Sequence, residues 1–151
     1  MDAVIGGSQL ASLAILENVR HEHVATPFGE PSGPVTIGTV AGRDIAFLAR
    51  HGNPHVVPPH RINYRANIWA LRALGVANVI AIATSGGMRE DFVPGTLVVP
   101  DQIIDYTHGR AHTFADGAAN EPVLHVDFTH PFTASLRSRL HEAAARAGAT
   151  L

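Results

Sequence analysis

INYRANIWALRALGVANVIAIATSGG, residues 62–87, joins two patterns of different period. In its first half Ile62, Ala66, Trp69, Ala70, Ala73 and Leu74 recur at helical spacing, and Gly75 is a natural helix stop. In its second half NVIAIAT, residues 78–84, is an unbroken apolar run of strand length, the pattern of a strand buried on both faces. A helix, a glycine and a strand ending at Ser85-Gly86-Gly87 form a unit from which layered α/β folds are built.

Upstream, VTIGTV (35–40) and RDIAFLAR (43–50) are β-branched, apolar runs separated only by Ala41-Gly42, which predicts a hairpin. TPFGEPSGP (26–34) is dense in Pro and Gly and predicts a loop, while AVIGG (3–7) predicts a short strand feeding a tight turn. Downstream, TLVVPDQIID (96–105) has the composition of a buried strand interrupted by a proline, and residues 107–131 are irregular. Thr133 is placed to N-cap a helix through SLRSRLHEAAARAG, which Gly148 would end. The expectation is one α/β domain over residues 1–151 with a mixed sheet. The last helix is followed only by Ala149-Thr150-Leu151, where a βαβ pattern would supply another strand, so the domain reads as truncated.

With 151 residues, 46% of them hydrophobic, the chain is long enough to bury one core. A formal charge of −2 argues against a basic face for nucleic acid. No apolar run reaches the length of a membrane span, and MDAVIGGSQL lacks the basic start of a signal peptide. The absence of cysteine removes disulfides and thiolate metal sites and fits a reducing cytoplasm.

Three strand ends carry chemistry suited to an anion. IGGS (5–8) offers glycines that let backbone N–H groups approach a ligand, with the Ser8 hydroxyl beside them, although a plain turn needs the same residues. SGGM (85–88) leaves the most strand-like run, where ligands of open α/β sheets gather. ARHGNPHVVPPH (49–60) holds His51, His55 and His60. A metal site there is disfavoured, because Pro54 opposes the helix that would align His51 with His55 and no Asp or Glu lies between Ile45 and Glu90. Arg50-His51 instead suits a phosphate, since the guanidinium fork matches its oxygens. A solvated surface pair is the alternative.

IGGS, TPFGEPSGP, FLARHGNPHVVPPHRINYRANIWALRALG, SGGMRE, PGTLVVPDQIIDYTHGRAHTF and HVDFTHPF, in this order, resemble the methylthioadenosine phosphorylase branch of the purine nucleoside phosphorylases. The last two segments look most like those of bacterial S-methyl-5'-thioinosine phosphorylases. The resemblance covers residues 3 to 148 and implies a nucleoside phosphorylase-like αβα sandwich with a mixed sheet, here lacking the C-terminal part. It implies phosphorolysis of a 5'-methylthio-purine nucleoside (S-methyl-5'-thioinosine or S-methyl-5'-thioadenosine) to a free purine and 5-methylthioribose 1-phosphate. Inorganic phosphate is then a co-substrate, no metal or organic cofactor takes part, and the assembly is a homotrimer.

Carried over by position, Ser8, Arg50, His51, Ala83 and Thr84 would bind phosphate, the last two through backbone N–H groups. Gln9 stands where family members have a glycine, which departs from the usual turn. Ser85 and Gly86 would wall the ribose and base, and His125 would reach the 5'-substituent in a neighbouring subunit. No residue of the chain is implied as a catalytic acid or base, and His55 and His60 acquire no role. Family members run on by roughly a hundred residues, about a further half domain, and carry their base-reading groups there. The isolated chain is therefore expected to lack phosphorolytic activity. A general 6-oxopurine nucleoside phosphorylase and an inactive, truncated phosphate-binding module remain as alternatives.

Overall fold

The computed structural model describes residues 1–7, 14–115, 117 and 123–151. In chain order the elements are β1 (Asp2–Gly6), β2 (Glu17–Glu22), β3 (Val35–Val40), β4 (Arg43–Ala49), α1 (Tyr64–Ala73), β5 (Asn78–Ala81) and α2 (Ala134–Arg146). They fall into two compact units, Met1–Thr84 with Gly109–Phe114, and Ser85–His108 with Ala115–Leu151.

The first unit is a five-stranded mixed sheet in the order β2-β3-β4-β1-β5. β2, β3 and β4 pair antiparallel, while β1 runs parallel to both β4 and β5. The β3–β4 hairpin forms as expected. Ala41 (φ 48°) and Gly42 (φ 75°) both take the left-handed conformation that a two-residue turn needs to match strand twist. Ala3, Val35, Ile37, Ala46 and Leu48 from the sheet meet Ala70 and Leu71 of α1 in the core. Ala66 and Ala70 are fully buried, and their small side chains let the helix approach the sheet closely. Trp69, one of the helically spaced apolar residues, stays 39% exposed and instead meets the edge of Phe28, at 5.5 Å between ring centroids.

The NYRAN segment owes its two asparagines to the loop that precedes it. Asn63 caps α1 by accepting from the Ala66 N–H (3.1 Å) and donates through Nδ2 to the Phe28 carbonyl (2.7 Å). One turn later Asn67, only 2% exposed, accepts from the Ser32 N–H (2.8 Å) and donates to Ser32 Oγ (3.0 Å). A buried amide is costly unless paired, and here its pairing fixes the 26–34 loop to the helix. At the other end Gly75 (φ 78°) closes α1, with the Val76 N–H reaching back to Leu71 O at 3.1 Å.

Two expectations about strands need correction. The run 78–84 forms a strand only over Asn78–Ala81 and is not buried on both faces: Val79 and Ile80 are half-buried, and Ala81 to Thr84 are exposed. Its ladder ends with the bond from Ile82 N to Ile5 O (2.9 Å), because β1 itself ends one residue later, at Gly6. The segment 96–105 forms no strand, and Leu97, Val98 and Ile104 are each more than half exposed. Apolar, β-branched composition gives a segment strand propensity, but a ladder also needs a partner edge for its N–H and C=O groups. In the second unit α2 forms where expected and ends at Gly148 (φ 69°), although Thr133 occupies the N-cap position without a side-chain capping bond. Among the described residues no helix is long and apolar enough to cross a membrane.

Candidate functional site

Parallel pairing brings three strand ends to one edge of the sheet. The registers Gly6↔Ala49 and Ile5↔Ala81 set the segments after β4, β1 and β5 side by side, so that Arg50, Gly7 and Ile82 are neighbours. The Arg50 N–H donates to Gly6 O (3.1 Å), which anchors its backbone to β1. From there its side chain crosses the middle strand end: Nη1 donates to the Ile82 carbonyl at 2.6 Å. Such carboxyl-end crevices are where open α/β sheets bind ligands.

Gly7 is the floor of that crossing. A β-carbon there would lie 2.9 Å from Arg50 Nη2 and 3.3 Å from its Cζ. The glycine is required for side-chain clearance, and its neighbour is the far end of a flexible chain. Gly7→Ala is therefore expected to move the guanidinium rather than unfold the protein. Stability should change by no more than about 0.5 kcal/mol, whereas anion affinity should fall about tenfold as Arg50 loses its aim. Thermal melting and phosphate titration check the two halves separately, and an unaltered affinity would remove Arg50 from the site.

His51 follows Arg50 and is half-buried. Its Nε2 lies 3.3 Å from Arg50 Nε and its Nδ1 lies 2.8 Å from the Val57 carbonyl oxygen. The loop that carries it closes on itself, with Val56 N and Val57 N both donating to His51 O (3.0 and 2.9 Å). Gly52 (φ 78°) makes the first bend, where a side chain would press on Ser32 O at 3.1 Å. His55 stacks on His51, with centroids 4.4 Å apart and planes tilted by 32°. His60 sits in a single 3₁₀ turn, Pro59–Arg61, ahead of the α1 cap. Among the described residues no group of three or more His, Cys, Asp or Glu is placed to hold a metal ion.

The remaining residues singled out in the sequence divide between the units. Ser8 and Gln9 lie outside the described residues. Ala83 and Thr84 extend from β5 just past the Ile82 carbonyl that Arg50 holds, and both are exposed. Ser85, Gly86 and His125 belong to the second unit and are exposed. There, Gly87 of the same turn packs so close to the Phe92 carbonyl that a β-carbon would fall 2.5 Å from its oxygen. Two residues after His125, Asp127 accepts from the hydroxyl and the N–H of Thr129 (2.6 and 2.8 Å). Those two bonds hold its carboxyl below the ordinary aspartate range.

Three features of the site lie outside what the sequence predicts: Gly7 as a clearance position, the Ile82 carbonyl, and the stack of His55 on His51. The first has a signal in the double glycine after β1, whereas the other two arise only when separate segments meet.

Comparison with known proteins bears on the whole chain. It is 53% identical over 142 residues to a probable S-methyl-5'-thioinosine phosphorylase of Xylella fastidiosa, a match spanning 94% of this chain and 60% of that protein. It is 48% identical over 146 residues to an S-methyl-5'-thioadenosine phosphorylase of Hyperthermus butylicus, spanning 97% of this chain and 52% of the relative. The fold superposes with a TM-score of 0.88 on methylthioadenosine phosphorylase from Schistosoma mansoni in complex with adenine, at 38% identity, over 95% of this chain and 53% of that one. The chain thus spans little more than half the length of the proteins it matches. The family model described as the phosphorylase superfamily matches residues 2–151, leaving only Met1 outside it. A match of that extent, on a sheet whose strand ends gather Gly7, Arg50 and Ile82, is decisive: the chain belongs to the phosphorylase superfamily.

Proposed function

We propose that this chain supplies the phosphate-binding end of a purine nucleoside phosphorylase acting on a 5'-methylthio nucleoside. The substrate is S-methyl-5'-thioinosine or S-methyl-5'-thioadenosine, and the products are the free purine and 5-methylthioribose 1-phosphate. The observation that carries the reading is the crossing of Arg50 over Gly7 to the Ile82 carbonyl, which presents a fixed guanidinium at the carboxyl ends of three parallel strands. Relatives named as phosphorylases of these two nucleosides, at 53% and 48% identity, support the choice of substrate.

In this reading Arg50 and His51, the backbone N–H groups of Ala83 and Thr84, and the Ser8 hydroxyl form the phosphate end. Ser85 and Gly86 wall the ribose and base, and His125 reaches the 5'-substituent of a neighbouring subunit in a homotrimer. As the glycosidic bond breaks, its electron pair leaves with the purine and positive charge develops on the sugar ring. A phosphate held against the anomeric carbon stabilises that charge and then attacks the carbon. Donors fixed before the substrate arrives suit this task, because they need no reorganisation at the moment of reaction. Phosphate is a co-substrate, no other cofactor is used, and the cysteine-free chain is assigned to the cytoplasm.

Free-purine release measured on the protein carrying this chain, hypoxanthine from S-methyl-5'-thioinosine or inosine and adenine from S-methyl-5'-thioadenosine, tests the reading. Release from one of the two methylthio nucleosides is expected to exceed release from inosine. Release from inosine equal to that from S-methyl-5'-thioinosine would replace the methylthio reading by a general 6-oxopurine phosphorylase. Phosphate-dependent thermal stabilisation with no release from any of the three nucleosides would replace it by a module that keeps only the phosphate site.

A further inference from the structure

We infer that His51 is a positioning residue for Arg50, with His55 steadying it, and that the imidazole does not itself donate to the anion. The inference rests on the proposed reading of Arg50 as the phosphate-binding cation and assigns how its neighbour acts.

A neutral imidazole has one N–H and one lone pair. The Val57 carbonyl, 2.8 Å from Nδ1, can only accept, so Nδ1 carries the proton. Arg50 Nε, 3.3 Å from Nε2, can only donate, so Nε2 offers its lone pair. Both ring nitrogens are thereby committed within the protein, and a second proton at Nε2 would point at an arginine N–H. The ring is fixed from three sides: the loop closed by Val56 N and Val57 N on His51 O, the Val57 carbonyl, and the face of His55 at 4.4 Å.

What the ring fixes is the guanidinium. An arginine side chain rotates freely about its last bonds unless its fork is tied. Here Nε is tied to His51 and Nη1 to Ile82 O, and together they set Nη2 over Gly7. A lone Arg50 would have to freeze these rotations when phosphate arrived, whereas the tied fork has already lost them. His55, for which the sequence predicts no role, becomes a flat support behind the positioning ring.

Imidazole and arginine side-chain ¹⁵N spectra of the chain, recorded with and without inorganic phosphate, test this. The phosphate-free protein should show His51 protonated at Nδ1 alone and a slowly exchanging Arg50 Nε–H. His51→Ala should abolish the slow exchange and weaken phosphate binding about tenfold, the effect of losing one charge-assisted hydrogen bond. His51→Gln, whose amide oxygen can accept near the former Nε2, should stay within about threefold of the parent. His55→Ala should speed Arg50 Nε–H exchange severalfold, and His55→Phe, which keeps a ring to stack, should not. Addition of phosphate should leave the His51 pattern unchanged.

Protonation of Nε2 on phosphate binding would overturn the inference in favour of direct ligation. So would an Arg50 Nε–H signal indifferent to His51→Ala, and where that variant fails to fold, a parent Arg50 Nε–H that exchanges as fast as a free arginine side chain overturns the inference instead. If the parent chain binds no phosphate, the phosphate reading fails, while the phosphate-free spectra still decide whether His51 holds Arg50.

Discussion

Arg50→Met is expected to weaken phosphate binding about a hundredfold, because it removes the permanently charged fork that spans the three strand ends. In steady-state assays of the protein carrying this chain, the phosphate KM should rise far more than the nucleoside KM. Equal rises in both would show that Arg50 supports the site as a whole and does not contact phosphate. Arg50→Lys is an instructive companion. It keeps the charge but has no Nε–H to meet His51 Nε2 and no second nitrogen to reach the Ile82 carbonyl while facing the ligand. Its affinity should therefore remain about tenfold below the parent. The melting temperature should hardly move in either variant, since the guanidinium bridges strand ends and not the core.

How much of this was legible in the chain depends on where each signal resides. The β3–β4 hairpin was readable because Ala41-Gly42 leaves room only for a two-residue turn between two apolar runs. Helix α1 was readable from its period and from Gly75. β2 was not: ENVRHE is polar and mostly exposed, pairs among the described residues only with β3, and carries an irregularity between Glu17 and Arg20. An edge strand of this kind is held by backbone bonds that leave no trace in side-chain pattern. The opposite error at 96–105 has the same root, since pattern reports what a segment would bury and not whether an edge is available to it. At the site, Arg50-His51 stood out as an anion pair because adjacent residues announce their chemistry. The direction of the His51 ring did not, because it is decided by the Val57 carbonyl six residues later and by a stacking partner, His55, for which the sequence predicts no role. The two asparagines of NYRAN fall between these cases: Asn63 carries an N-cap signal, whereas the burial of Asn67 depends on Ser32, thirty-five residues away.

Leu48→Ala, on β4 two residues before Arg50, should produce the reverse signature. Leu48 is fully buried on β4, between β3 and β1, in the cluster that includes Ala46, Ala70 and Leu71. Truncating it removes three heavy atoms from a site where the backbone is held by ladders on both sides, so the walls cannot collapse to fill the space. The expected loss is about 3 kcal/mol or more, which for a cooperative unit of this size lowers the melting temperature on the order of 10 °C or more. Phosphate affinity at a temperature where the variant is still folded should stay within about threefold of the parent, since the register that aligns Arg50 with Gly7 is set by backbone pairing. Calorimetric melting and phosphate titration, run on Leu48→Ala beside Arg50→Met, separate the two roles of one strand. If Leu48→Ala lost affinity before it lost structure, the aim of Arg50 would depend on core packing as well as on the loop and strand ends that hold its fork. If Arg50→Met melted as early as Leu48→Ala, the crossing over Gly7 would be a structural tie and the phosphate site would have to be sought elsewhere on the sheet edge.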